Sequence, residues 1–199
     1  MNIEYEAMFE NVAKDKIRKR LQQLGAKLIK PEFKQIRNAF FLPVGHEIEG
    51  GWLRVRDESD KVTMSLKVID GDRIEDQKEI CVTVDSYSKA MLLLQKLGCR
   101  SKGMQENFRE LWRHKGVEIT IDHWPFIEPF VEVESGSEAT VKMVSEELGF
   151  NWSDAIFGPV GVLVQRKYGV PLDYINNYAP DITFDGENPW LEWEIQNRT

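Results

Sequence analysis

The chain has 199 residues, 42% hydrophobic and 30% charged, which suits one globular domain with a real core and room for an appendage. Its net charge of −7 argues against a general nucleic-acid or anionic-membrane surface, though not against a local basic pocket. The longest apolar run, AMLLL at 90–94, is far short of a membrane span, and the two cysteines, Cys81 and Cys99, stand in no zinc-binding spacing.

The N-terminus shows no basic region followed by an apolar stretch, so no signal peptide is expected and a reducing cytoplasm is the expected compartment. Residues 2–10 read as a strand. Ile3, Tyr5, Ala7 and Phe9 share one face; Glu4, Glu6, Met8 and Glu10 share the other. In NVAKDKIRKRLQQLGAKL, Ile17, Leu21 and Leu24 recur at helical spacing and Gly25 reads as a stop. Four strand-like pieces come next, FKQIRNAFFL, GWLRVRDE, KVTMSLKVI and QKEICVTV, separated by acidic or glycine-containing turns. SYSKAMLLLQKLGC is a second helix, with Ala90, Leu93, Leu94 and Leu97 on its apolar side. Three more strands, MQENFRELWRHKG, VEITIDHW and PFVEVES, precede a third helix, SEATVKMVSEELGF. Consecutive strands joined by tight turns favour an antiparallel α+β arrangement. Residues 151–199 differ: 154–179 suggest one or two helices, and the remaining tail has no clear element.

Alternation carries the functional argument. On the polar faces, Arg54 and Arg56 oppose Leu53 and Val55, Lys67 opposes Leu66 and Val68, and Glu79 opposes Ile80. Asp122 opposes Ile121, and Glu132 and Glu134 oppose Val131 and Val133. A sheet with one solvated face would produce alternation of this kind. The doublets Glu-x-Glu and Arg-x-Arg on different strands suggest more, because like charges on one strand repel unless answered. A barrel that turns its polar face inward would balance them and enclose a small polar ligand. Clustered carboxylates suit hard cations, and clustered Arg and Lys suit phosphate oxygens. Together they describe a polyphosphate carried with its metal.

These residues resemble the CYTH superfamily, the triphosphate tunnel metalloenzymes. EYEAM resembles its Glu-x-Glu-x-Lys signature. LRVR, SLKV, QKEI, NFRELW and ITIDHWPFIEPFVEVES resemble its later strands, in order, across residues 2–150. The resemblance implies an eight-stranded antiparallel β-barrel tunnel over 1–150, with helices packed outside and a helical extension, 151–199, docked on it. It implies metal carboxylates at Glu4, Glu6, Glu132 and Glu134, with Asp122 either facing metal or orienting a base. It implies catalytic groups Lys67, Arg54, Arg56 and Glu79. The phosphate set is Arg37, Arg54, Arg56, Lys67 and Arg109, with Lys34 and Arg113 as further candidates. The implied metal is Mg²⁺ or Mn²⁺, and the implied partner is a small triphosphate or nucleotide, with no nucleic acid and no membrane; a homodimer is plausible on the same ground.

One position departs from the signature: Met8 stands where the family has lysine. Methionine offers neither charge nor a titratable proton. The expected activity is metal-dependent hydrolysis of an inorganic, thiamine or nucleoside triphosphate. Class IV-type cyclisation of ATP and a catalytically weakened phosphate-binding module are the alternatives. His46, His114 and His123 lie on separate segments and read as ordinary.

Overall fold

The computed structural model of the protein describes residues 1–178, 180–191 and 193; of the expected extension, 179, 192 and 194–199 lie outside the described residues. The strands are β1 (Asn2–Ile3), β2 (Tyr5–Phe9), β3 (Lys27–Phe40), β4 (Gly51–Asp57), β5 (Val62–Ile69), β6 (Gln77–Val84), β7 (Ser101–His114), β8 (Val117–His123) and β9 (Phe130–Ser135). The α-helices are α1 (Lys14–Gln23), α2 (Tyr87–Lys96), α3 (Glu138–Leu148), α4 (Gly161–Tyr168) and α5 (Leu172–Tyr178). No described helix is long and apolar enough to cross a membrane.

The strands form one antiparallel sheet in the order β1-β6-β5-β4-β3-β7-β8-β9-β2. Its two edges are halves of one segment: β1 pairs with β6, β2 pairs with β9, and only Glu4 lies between them. The Glu4 amide still donates to the Gln77 carbonyl at 2.9 Å. The sheet is therefore a nearly closed barrel. The ninth strand, against eight expected, comes from this break in the first.

α1 stops at Gly25, whose φ is +71°, as the sequence reading has it, but one strand boundary and one helix face differ. The chain enters β3 at Lys27, not near Phe33. Pro31 disguises this stretch. Register shifts between Leu28 and Lys30 and between Lys30 and Phe33 accommodate it as bulges. In α2, Ala90 and Leu94 are buried, but Leu93 and Leu97 are 52% and 62% exposed. The helix packs instead through Tyr87, Ala90, Met91 and Leu94, a regular helical stripe rotated away from Leu93 and Leu97.

α1 and α3 cover the outer face of β2, β8 and β9, burying Ala7, Leu21, Ile119, Val131, Val133 and Val144 together. α2 closes a smaller cluster over Val55 and Phe40. A third cluster joins the barrel to the C-terminal extension: Met8, Trp124, Ile127 and Phe130 pack with Ile156, Leu163, Val164, Ile182 and Trp190. Backbone pairing fixes this junction. Met8 and Ile156 exchange hydrogen bonds of 2.8 and 3.0 Å. Ile182 donates to Met104 at 2.8 Å and accepts from Glu106 at 3.0 Å. β8 pairs with β7 only from Phe108 onward, so Ile182 takes the edge that β8 leaves open.

Candidate active site

Period-two geometry turns the polar positions of the strands inward, and cross-strand register sorts them by sign. Arg37 faces Arg56, Arg54 faces Ser65, and Lys67 faces Glu79 along β3, β4, β5 and β6. On the other wall Glu6 faces Glu134, which faces Glu118, and Met8 faces Glu132. The two walls enclose a cavity of about 300 Å³. Ten of the sequence candidates line it: Glu4, Glu6, Glu79, Glu132, Glu134, Arg37, Arg54, Arg56, Lys67 and Arg109.

Most of these cations are held by carboxylates. Arg54 Nη2 lies 3.0 Å from Glu79 Oε1, and Arg56 Nη2 lies 2.8 Å from Glu58 Oε1. Lys67 Nζ stands 3.1 Å from Glu4 and 3.9 Å from Glu6. Arg109 bonds Asp122 at 2.9 Å and also reaches Glu132. Arg37 is different. It donates to Gln35 at 2.9 Å and to Asn107, lies over the Trp124 ring at 4.4 Å, and has no ion pair among the described residues.

Burial and these neighbours set the protonation. Burial, then Arg54, Arg56 and Arg109, hold the Arg37 guanidinium well below its usual range. Burial also opposes charge on Lys67 and Arg109. Glu6 and Glu4 nevertheless raise Lys67, and Asp122 and Glu132 hold Arg109 well above normal. Among the acids, burial pushes Glu4 up to about 7 against the pull of Lys67, helped by a hydrogen bond to Glu79. Burial opposes ionisation of that partner too, but Arg54 and the same hydrogen bond hold Glu79 down at about 2. Burial followed by the charges of Glu6, Glu4 and Glu118 raises Glu134 to about 8. Glu6 is raised as well, first by burial.

This imbalance bears on a metal. Among the described residues no three carboxylates gather tightly enough to form a finished coordination shell, and Lys67 stands between Glu4 and Glu6. The donor chemistry still fits a hard cation. Glu4, Glu6 and Glu134 offer carboxylate oxygens on adjoining segments, and their mutual repulsion is only partly answered by Lys67.

Three candidates lie off the cavity wall. Asp122 is fully buried and gives its oxygens to Arg109, to Asn107 at 2.6 Å and to Thr120 at 2.6 Å, so it holds Arg109 in place and does not line the cavity. Lys34 pairs with Glu106, and half-exposed Arg113 lies 3.4 Å from Glu118. His114 bonds Glu147 at 3.0 Å outside the barrel. The sequence reading missed Trp52, Lys102, Gln105, Glu118 and Trp124 on the lining, together with Val160, Val164, Ile175, Asn176, Ile182 and Trp190. Trp52 and Glu118 carried a signal, since each shares strand parity with a named site residue.

The sequence model of the CYTH domain matches residues 1–153. A curated protein of Methanocaldococcus jannaschii named "Putative adenylate cyclase MJ0240" is 27% identical over 135 residues, 66% of this chain and 76% of that one. Among solved structures, PH1012 of Pyrococcus horikoshii OT3 superposes with TM-score 0.66 at 22% identity, covering 82% of this chain and 99% of its own. HpAC1 of Hippeastrum, described as an adenylyl cyclase candidate with a dominant triphosphatase activity, gives TM-score 0.53 at 17% identity, covering 87% and 99%.

Proposed function

The chain belongs to the CYTH domain family, and from that premise we propose that its cavity binds a triphosphate together with Mg²⁺ or Mn²⁺ and hydrolyses it. The observation that carries this reading is the cavity wall: six cationic and six acidic side chains line one cavity. Phosphoryl transfer asks a protein mainly to position the group and spread its charge.

The contacts support the following roles. Arg37 has no carboxylate to give up and is the first anchor for a phosphate oxygen. Arg54, Arg56 and Arg109 clamp further oxygens, Arg109 held in place by Asp122. Glu79, ionised at about 2, keeps Arg54 aimed into the cavity. Glu4, Glu6 and Glu134, with Glu132, would hold the divalent cation. When bound, that cation supplies Lewis-acid charge to the phosphoryl oxygens. Lys67 keeps Glu4 and Glu6 in place and offers its ammonium to the phosphate chain. We further propose that 1–150 is the tunnel domain, that 151–199 is an extension docked on it, and that the protein works in the cytoplasm. The seams at Ile156 and Ile182 support the docking. Two free thiols are in keeping with a reducing compartment.

The test is product analysis on inorganic triphosphate, thiamine triphosphate, ATP and GTP, with Mg²⁺ or Mn²⁺ and a Glu4→Gln/Glu6→Gln control. Metal-dependent phosphate release lost in the control supports hydrolysis. Cyclic AMP with pyrophosphate would make the chemistry that of a cyclase. Metal-linked binding without turnover would make the protein a binding module. Neither binding nor turnover of any of the four would end the triphosphate reading.

A further inference from the structure

We infer that the segment after the family domain is a specificity element. It gives the cavity an apolar half that selects a triphosphate ester of an organic group with a planar apolar face over inorganic triphosphate. The inference rests on the triphosphate reading of the same cavity.

The cavity has two unlike sides. One is the charged barrel wall. The other is built by Trp124 and Ile127 at the barrel end and by Val164, Ile175, Ile182 and Trp190 from beyond residue 153. An inorganic triphosphate is charged along its whole length and has no surface to bury there. Such a wall only takes water from it. An organic ring can use the wall. Burying about 100 Å² of apolar ring surface is worth roughly 10- to 100-fold in affinity.

Several details show the wall is built into the fold. The extension is tied to the barrel by backbone pairing at Ile156 and at Ile182, one on each side of the segment that carries α4 and α5. Gly161 lines the cavity on α4, and a Cβ there would stand 3.2 Å from Ile175 Cγ2. Glycine therefore lets α5 close on α4 and bring Ile175 to the wall. Arg37 marks the boundary between the halves, its guanidinium over the Trp124 ring at 4.4 Å and free of any carboxylate among the described residues. Phosphate on one side of Arg37 leaves the organic group facing Trp124 and Trp190. Next to Ile175, Asn176 also lines the cavity, and its side chain makes no hydrogen bond among the described residues. Its amide offers both a donor and an acceptor to ring heteroatoms.

The same wall accounts for Met8. Its side chain shares the inward parity of Glu4 and Glu6 but is 1% exposed, packed among Trp124, Leu163, Val164 and Trp190. A lysine at this position would put its charge into the apolar half. Met8 and the extension are parts of one device.

The test compares kcat/KM for ATP, GTP, thiamine triphosphate and inorganic triphosphate, with calorimetric binding of each in the presence of Mg²⁺ as a second readout. At least one organic triphosphate should exceed inorganic triphosphate by tenfold or more in both readouts. In Ile175→Gln, and separately in Asn176→Ala, that preference should shrink, by about tenfold for Ile175→Gln. Equal or better use of inorganic triphosphate by the unaltered protein overturns the inference while leaving the triphosphate reading intact, and needs no variant to fold. So does a preference that both folded variants keep. If none of the four compounds binds or reacts, the triphosphate reading falls and this inference falls with it.

Discussion

Restoring the family lysine at position 8 should damage this protein, not improve it. Met8 is 1% exposed and surrounded by Trp124, Ile127, Phe130, Ile156, Leu163 and Trp190. A lysine there must bury its ammonium or lose its proton. Fully buried lysines have pKa values lowered by about 3–5 units, and each unit is about 1.4 kcal/mol. Glu132, directly across the strand pair, offers partial relief, but Arg109 already holds it. We therefore expect Met8→Lys to cost about 3–5 kcal/mol, a large share of the roughly 5–15 kcal/mol that holds a domain together. For a chain of this size that is a fall in Tm of roughly 6–20 °C. The deficit should shrink as pH rises toward 10, because the folded state then binds fewer protons than the unfolded one. Met8→Leu, which keeps the volume, should cost less than about 1.5 kcal/mol. Thermal melts of the three proteins at pH 7 and pH 9.5, with the triphosphatase assay alongside, decide it. A Met8→Lys protein that melts within about 2 °C of the parent and turns over faster would show that position 8 addresses the phosphate site, and the apolar-wall argument would fail.

The site yields three further expected outcomes. Glu134 at about 8 and Glu4 at about 7 lie above the ordinary 4.5, so the folded metal-free protein holds extra protons between those limits; their contribution is complete below about 4.5 and is lost as pH rises through 7 and 8. Melts in EDTA should show Tm falling across that window, with Mg²⁺ or Mn²⁺ restoring more at pH 8 than at pH 6; a flat or rising Tm in EDTA would contradict the carboxylate cluster. Asp122→Asn leaves Arg109 without its main buried counter-charge and should cost about 3 kcal/mol in denaturant melts and weaken triphosphate binding; unchanged binding would remove Asp122 as the positioner of Arg109. Arg113→Ala, at a half-exposed ion pair off the cavity wall, should change stability by less than about 1 kcal/mol and activity by less than about twofold, and a tenfold loss in activity would bring Arg113 back into the site.

The barrel wall was legible because its code is local. Period two needs only the strand's own residues, so the inward parity of Glu4 and Glu6, Arg54 and Arg56, and Glu132 and Glu134 could be read without knowing any partner. Which inward residues meet one another could not. Asp122 has the same parity as Glu118, yet it is spent on Arg109, Asn107 and Thr120, because cross-strand register decides who stands in front. Leu93 and Leu97 carried a helical apolar pattern, but α2 packs through the neighbouring stripe of Tyr87, Ala90, Met91 and Leu94 and leaves them uncovered. Pro31 hid the first turn of β3, from Lys27 to Glu32, because a bulged strand breaks the alternation used to find it.

The extension was the least legible part, and for a different reason. α4 and α5 are short, and Ile156 and Ile182 join the barrel through single bridges, which leave no periodic trace. Their meaning appears only when they are set against Met8. In the sequence, Met8 reads as a missing charge and raises the question of lost catalysis. In the fold it is a buried apolar residue whose strand edge pairs with Ile156 and whose side chain meets Leu163, Val164 and Trp190. The wall beside Met8 is apolar and is supplied from a separate part of the chain, while the charged doublets opposite it are in place. Those two facts are what the inferred organic-group subsite needs.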